Sequence, residues 1–310
     1  MKSLAILLKS STIVAITVMI AGLFGKWHFL LDICSHFRVQ AALTLVVAGL
    51  LLYWLKRRRW GVASLVAGLG LTATLWPYYL PGSTEGANKY RLLTLNVMAS
   101  SPRHDRAIEY ILESDPDFIV LQEVNSSWIK SLDEKLASTW PHREAILRFD
   151  DFGVALYSKF PWKSCGLKNY SNFYSNPALA ASFKLADDVE LRLVTIHPAS
   201  PMNHAKWESR NVLFDELAKD VQANGTRRTI VAGDFNCTPW SYWYRRFVQE
   251  SGLRNAAEGQ GFHVTWMPIP IGVFGLPIDH VLVGSEIGVS ELTVGPYVAS
   301  DHRGVVLDFE

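Results

Sequence analysis

Three apolar stretches, at 4–24, 39–55 and 60–80, crowd the first 82 residues of this chain and limit what its N-terminal quarter can become. They run for 21, 17 and 21 residues, against the roughly 20 that carry a helix across a hydrocarbon core. Lys9, Ser10, Ser11 and Thr12 interrupt the first. A cleaved leader would account for that stretch alone, and no small-residue cleavage signature comes after it. The expectation is three transmembrane helices in residues 1–82.

Charge divides the chain at the same place. Residues 1–82 hold eight basic side chains and one acid, Asp32, a net of +7, whereas the remainder holds 22 basic and 28 acidic groups, a net of −6. Lys56-Arg57-Arg58-Arg59 lies between the second and third stretches, and a basic cluster in a short loop marks the cytoplasmic side. Counting outward, the N-terminus is cytoplasmic, and everything beyond the third span lies on the extracytoplasmic, periplasmic face of an inner or plasma membrane. Trp76, Tyr78 and Tyr79 fit an interfacial aromatic belt. Pro81-Gly82-Ser83 then breaks the helix, and a linker at 83–89 is short enough to hold residues 90–310 near the bilayer.

Residues 90–310 suffice for one sizeable core. With 49% hydrophobic residues the chain is not disordered. Its three cysteines, Cys34, Cys165 and Cys237, exclude a disulfide framework and a Cys-built zinc site. The acidic balance argues against non-specific grip on nucleic-acid phosphates. Hydrophobic periodicity predicts strands near 91–97, 117–121, 154–157, 179–185, 191–196, 229–232, 280–283 and 304–309, and helices near 105–113, 127–137 and 204–222. Helices covering sheets give an α/β sandwich.

A polar residue ends one apolar strand after another. Leu93-Thr94-Leu95 runs into Asn96, Val120-Leu121-Gln122 into Glu123, and Thr195-Ile196 into His197. Ile230-Val231-Ala232-Gly233 runs into Asp234, with Asn236 two residues on, while Asp279-His280 and Asp301-His302 are acid–imidazole pairs. Taken singly, each has a plain structural explanation: a turn former, a helix cap, a core imidazole. Together they place carboxylates, amides and imidazoles at strand ends, where loops form a cleft. Hard-cation ligands plus histidines, without a Ser, Cys or Lys nucleophile motif, point to attack of water on phosphorus assisted by Mg²⁺, or by Mn²⁺ in its place.

Leu95-Asn96-Val97, Leu121-Gln122-Glu123, Gly233-Asp234-Phe235-Asn236 and Ser300-Asp301-His302, in this order, resemble the endonuclease/exonuclease/phosphatase superfamily, which includes DNase I, apurinic endonucleases, neutral sphingomyelinases and inositol polyphosphate 5-phosphatases. The resemblance covers 90–310 and implies a four-layer αββα sandwich behind the transmembrane region. It implies that Glu123 is the principal Mg²⁺ ligand, supported by Asn96 and Asp301. It gives Asp234 the attacking water, Asn236 the alignment of water and phosphate, His302 the scissile phosphate, Asp279 the tautomer of His302, and His197 the leaving-group side. The sequence departs from many nucleases of the family at Met98, where they carry an acid, which leaves the metal site one carboxylate short. His280 reads as structural, and Arg210 as a solvated helix charge.

Trp240, Tyr242, Trp243 and Tyr244 begin a helix after the Asp234 turn, capped near Thr238 or Ser241. The apolar segment 266–277, which runs into Asp279, is either a folded lid or a membrane-facing rim. The resulting expectation is a membrane-anchored phosphodiesterase or phosphatase whose partners are the bilayer and a lipid-linked or small phosphoester, with no protein partner. One alternative is a nuclease that stacks DNA or RNA bases on Trp240 or Trp266. The other is a catalytically inactive extracytoplasmic binding module.

Overall fold

Neighbouring residues of β1 (Tyr90–Asn96) enter different cores, because successive side chains of a strand point to opposite faces. Leu92 joins Phe118, Val120, Leu156, Phe183, Leu193 and Ile230 between two sheets. Leu93 and Leu95 join Ile108, Ile111, Trp128 and Leu132 beneath helices. The first sheet has the order β11-β12-β1-β2-β4-β3, the second β5-β6-β7-β8-β10-β9. Their strands are β2 (Phe118–Gln122), β3 (His142–Ile146), β4 (Val154–Ser158), β5 (Trp162–Asn169), β6 (Pro177–Lys184), β7 (Glu190–Ile196), β8 (Thr229–Asp234), β9 (Arg254–Asn255), β10 (Asp279–Val283), β11 (Val289–Val294) and β12 (Val305–Phe309). Helices α5 (His104–Ser114) and α6 (Ser126–Leu136) cover the first sheet. Helices α7 (His204–Asn224) and α8 (Tyr242–Ser251) cover the second, through Leu213, Phe214, Leu217 and Phe247 against Val194, Ile196, Val231 and Leu282. This is the expected four-layer αββα sandwich. The computed structural model describes residues 1–80, 89–170, 176–185, 189–269 and 272–310. The expected linker at 83–89 therefore lies, apart from Lys89, outside the described residues, as do 270 and 271 of the apolar segment.

Two parallel pairs aim the strand ends in one direction. β1 and β2 run parallel with Asn96 opposite Gln122, and β7 and β8 run parallel with Ile196 opposite Gly233. β10 is antiparallel to β8, so its first residue, Asp279, faces the last residue of β8, Asp234. β12 is antiparallel to β1, which brings the residues just before Val305 to the same end.

The N-terminal region forms α1 (Lys2–Gly22), α2 (Phe29–His36), α3 (Arg38–Trp54) and α4 (Arg58–Ala73). By length and composition α1 can cross a membrane, and α2 with α3, bent by 58°, forms at most one more such span. At 16 residues α4 is shorter than a full crossing. It stops at Ala73, short of the expected residue 80, because Pro77 lacks an N–H and its ring would clash with the Ala73 carbonyl. The chain turns instead through a 3-10 turn, Trp76–Tyr78. Tyr78 is buried and packs edge-on against Phe262, outside the expected aromatic belt, whereas Trp76 and Tyr79 are exposed. α2 has no counterpart in the apolar pattern; His28 caps it, its Nδ1 accepting from the Leu30 N–H at 3.2 Å.

These helices dock on the sandwich. Gly259 N–H donates to Pro77 O at 3.0 Å and Gly261 N–H to Tyr78 O at 2.7 Å. Gln40 Nε2, on α3, donates to the carbonyls of Val273 and Gly275, both at 3.0 Å. His36 Nδ1 lies 3.0 Å from Thr238 Oγ1.

Candidate active site

Asn96 closes β1 and its amide nitrogen spans the cleft, donating to Glu123 Oε1 at 2.9 Å and to Asp234 Oδ2 at 3.2 Å. Its Oδ1 accepts from the Met98 N–H at 3.0 Å. Met98 has φ 58°, so the position of the missing acid is a tight turn whose carbonyl also receives Trp128 Nε1 at 3.2 Å. Glu123 itself has φ 62°, a left-handed conformation that a non-glycine residue adopts at a cost. Its second oxygen accepts from the Ala99 N–H at 3.0 Å.

The second sheet supplies the rest. Asp234 ends β8, fully buried, with Oδ1 accepting from the Asn236 N–H at 2.8 Å. That turn places Asn236 at φ 50°, which asparagine tolerates better than most side chains. Asn236 Nδ2 donates to Pro198 O at 3.0 Å. Gly233 precedes the turn at φ 148°, and a Cβ there would sit 2.1 Å from Ile196 O. Only glycine fits so close to β7. His197 Nε2 lies 3.4 Å from Asp234 Oδ2, and its buried Nδ1 has no partner among the described residues. His302 Nδ1 meets both oxygens of Asp279, at 3.0 and 2.9 Å, and its Nε2 lies 3.7 Å from Asp234.

Charge here is set by burial working against pairing. Burial disfavours the charged form of His302, yet Asp279 and Asp234 outweigh it and lift its pKa to about 10. His197 is likewise raised: burial opposes its charge, and Asp234, by hydrogen bond and field, prevails. Burial would raise Asp234, but His302, His197 and the Asn236 N–H hold it below the ordinary carboxylate value. His280 behaves as a structural residue: its Nε2 contacts Cys237 O at 2.9 Å, and burial pushes its pKa down to about 4.

Seven of the eight residues expected from the strand ends thus share one network. Among the described residues that network does not extend to Asp301, whose Oδ2 instead accepts from Trp266 Nε1 at 2.9 Å. Two other expectations are corrected. Arg210 is fully buried, with its Nη2 2.5 Å from Asp32 Oδ2 of α2, because a guanidinium removed from water needs a counter-charge. Trp240 is buried against Phe262 and under the Arg38 guanidinium, which leaves no face for a base.

The sequence assigns several supports no role, although Gln122 and Ser300 stand inside the motifs Leu121-Gln122-Glu123 and Ser300-Asp301-His302. Gln122 Nε2 donates to Thr94 Oγ1 and Thr195 Oγ1, both at 3.3 Å, tying the sheets together beneath the site. Ser300 Oγ donates to Asn96 O at 2.8 Å and accepts from the His302 N–H at 3.0 Å. Thr265 Oγ1 accepts from the Asp279 N–H at 3.1 Å. Threonines such as Thr94, Thr195 and Thr265 are too common for their spacing to mark them.

The same fold occurs in solved proteins. A Bacteroides vulgatus protein described as endonuclease/exonuclease/phosphatase superposes with a TM-score of 0.61 at 19% identity, covering 71% of this chain and 98% of its own. The human Nocturnin catalytic domain gives 0.59 at 18%, covering 73% and 95%. The 3′ phosphatase NExo from Neisseria, bound to a product DNA hairpin, gives 0.58 at 18%, covering 71% and 99%. No curated protein sequence matches the chain. The profile described as Endonuclease/Exonuclease/phosphatase family matches residues 93–302. Since that span opens in β1, ends on His302 and encloses the whole network, the chain belongs to the endonuclease/exonuclease/phosphatase family of metal-dependent phosphoester hydrolases.

Proposed function

We propose that this family member is a membrane-anchored phosphoester hydrolase that uses Mg²⁺ and acts on a lipid-linked or small phosphorylated molecule presented at the outer face of the membrane. In this reading α1, α3 and the segment 58–80, where the short α4 is extended by the turn at Trp76–Tyr78, are the three spans of residues 1–82, and 90–310 is the extracytoplasmic catalytic domain. The observation that carries it is where the helices dock. His36, Gln40, Pro77 and Tyr78 pack on Thr238, Gly259, Gly261, Val273 and Gly275, in the loops that follow Asn236 and precede Asp279. The apolar helices and the catalytic end of the sheets are therefore neighbours. Val273 and Phe274 stay exposed there, in a 3-10 turn (Gly272–Phe274) whose backbone is tied to α3, as suits a rim that touches lipid.

The donor set fits a hard divalent cation. Glu123, with Asn96 beside it and Asp301 once released from Trp266, would hold one Mg²⁺, and Met98 in the place of a further acid favours one ion over two. The ion would supply Lewis acidity toward the charge that builds on the phosphoryl oxygens. Asp234, Asp279 and His302 also present three donor atoms within 4.8 Å of one another. That group is better read as an anion site, since the two carboxylates keep His302 protonated. In the reaction Asp234 orients the attacking water and takes its proton, and Asn236 holds water and phosphate in line. His302, its Nδ1 committed to Asp279, turns Nε2–H toward a phosphate oxygen. His197 serves the leaving-group side.

A nuclease is the rival reading, and the DNA product bound to the Neisseria enzyme is its support. The net −6 of residues 83–310 and the burial of Trp240 weigh against it. The deciding experiment offers the full chain, in lipid nanodiscs with Mg²⁺, phospholipid and isoprenoid phosphates, bis-p-nitrophenyl phosphate and plasmid DNA. Preferred turnover of the lipid phosphates supports the proposal. Robust cleavage of DNA at ~0.15 M salt, where charge-driven binding is already weakened, would transfer the case to the nuclease.

A further inference from the structure

A charge from outside the family's domain completes the interior of this one. Arg210 and Asp32 have no exposed side-chain surface and meet at 2.5 Å, yet Asp32 belongs to α2 and lies well before residue 93, where the family match begins. The pair is built in on both sides. Ser241 Oγ donates to the other oxygen of Asp32 at 2.8 Å, and Arg210 Nε and Nη2 donate to Asn211 Oδ1 at 3.2 and 2.9 Å. The remaining nitrogen, Nη1, points at the catalytic turn and reaches Asn236 O at 3.4 Å. Asn236 needs such a hold, because its backbone sits at φ 50° in a sparsely populated conformation that persists when the surroundings over-determine it.

We propose that Asp32 is a positioning residue of the active site. By neutralising Arg210 it keeps the guanidinium on the Asn236 carbonyl, so the catalytic turn takes its working shape when α2 is docked. The inference rests on the reading of Asn236 as the residue that aligns water and phosphate. It gives the N-terminal region a second task beside anchoring. A catalytic domain cut free at residue 83 would leave Arg210 buried without a counter-ion, a situation proteins relieve by rearranging.

The test uses the full chain in nanodiscs with bis-p-nitrophenyl phosphate. Asp32→Asn is expected to lower kcat on the order of ten- to a hundred-fold at nearly unchanged KM, as a small displacement of an aligning group does. Asp32→Glu should recover part of the loss. Amide hydrogen exchange, which needs no substrate, should show faster exchange at 235–240 in Asp32→Asn. The decisive variant is the paired Asp32→Leu with Arg210→Met, which removes both charges from the interior and is tolerated in buried pairs of this kind. A positioning role predicts a restored melting temperature with kcat still depressed. Recovery of wild-type kcat in the paired variant, or wild-type kcat in a folded Asp32→Asn, would overturn the proposal. Asn236→Ala serves as the reference: if it keeps wild-type turnover, the reading of the site has failed, whereas if it is inactive while Asp32→Asn is not, only the role given to Asp32 has.

Discussion

Asn96 gives one amide hydrogen to Glu123 and the other to Asp234, at 2.9 and 3.2 Å, so a side chain of the first sheet is bonded to a carboxylate of the second. The two sheets meet at their catalytic end through this amide, with Gln122 bridging to Thr195 one layer below. The distance between Glu123 and Asp234 is thereby set by the packing of the sandwich rather than by loop conformation.

Glu123→Gln and Asp234→Asn should both lower turnover at least ~100-fold, by different routes. Raising Mg²⁺ should restore part of the activity of Glu123→Gln and none of that of Asp234→Asn. Chelation should silence the wild type, with recovery on adding Mg²⁺. Titrations of rate against Mg²⁺ separate the cases, and equal rescue of both variants would show the two roles to be wrongly divided.

In metal-free protein, ¹⁵N spectra should show His302 as an imidazolium through neutral pH, given a pKa lifted to about 10 by Asp279 and Asp234. Asp279→Asn removes one of those negative neighbours, which destabilises the charged form. Its titration should therefore move to lower pH. A titration left in place by Asp279→Asn would mean that the contact at 2.9 Å does not govern the charge.

Gly233→Ala should destabilise the domain by about 3 kcal/mol, because the new Cβ meets a backbone carbonyl that cannot retreat without parting β7 from β8, and φ 148° is unfavourable for alanine. The check is the denaturation midpoint. A normal midpoint would mean that the strand end relaxes more than its pairing implies.

Val273→Ser with Phe274→Ser should spare hydrolysis of a soluble diester and lower that of vesicle-embedded lipid phosphates. Equal loss on both substrates would make the turn a structural element of the domain.

A reporter active only outside the cytoplasm, fused after Glu310, should be on, and neutralising Lys56, Arg57, Arg58 and Arg59 should weaken the signal. A reporter active only in the cytoplasm would instead favour two crossings.

Half of the candidate site is legible in the sequence because Asn96, Glu123, His197 and Asp234 end or follow an apolar strand and are found by reading where β1, β2, β7 and β8 end, whereas Asp279 opens β10 and His302 precedes β12. Ser241 is likewise readable as the cap of α8. Strands β3, β5 and β11 escape notice because they are half-exposed and carry residues such as His142, Arg143, Lys163 and Lys168, which blur the alternation. Arg210 misleads for a physical reason: a helix charge is solvated unless something covers it, and its cover, Asp32, lies 178 residues earlier in the chain. No local pattern reports a partner at that separation. The end of α4 is within reach, since Pro77 stands in plain view inside an apolar run.

The docking of Pro77 and Tyr78 on Gly259 and Gly261, together with Gln40 on the 273–275 turn, fastens the catalytic domain to the helical region at several points. In the membrane-anchored reading proposed above, a domain held this way would have a fixed standoff from the bilayer and a fixed heading, so it would sample molecules diffusing in two dimensions. For a substrate carried in the membrane, the quantity that sets the encounter rate is then its mole fraction in the leaflet. Diluting such a substrate with inert lipid would slow the enzyme even with the total amount unchanged, whereas diluting the vesicles with buffer would leave the rate per enzyme as it was.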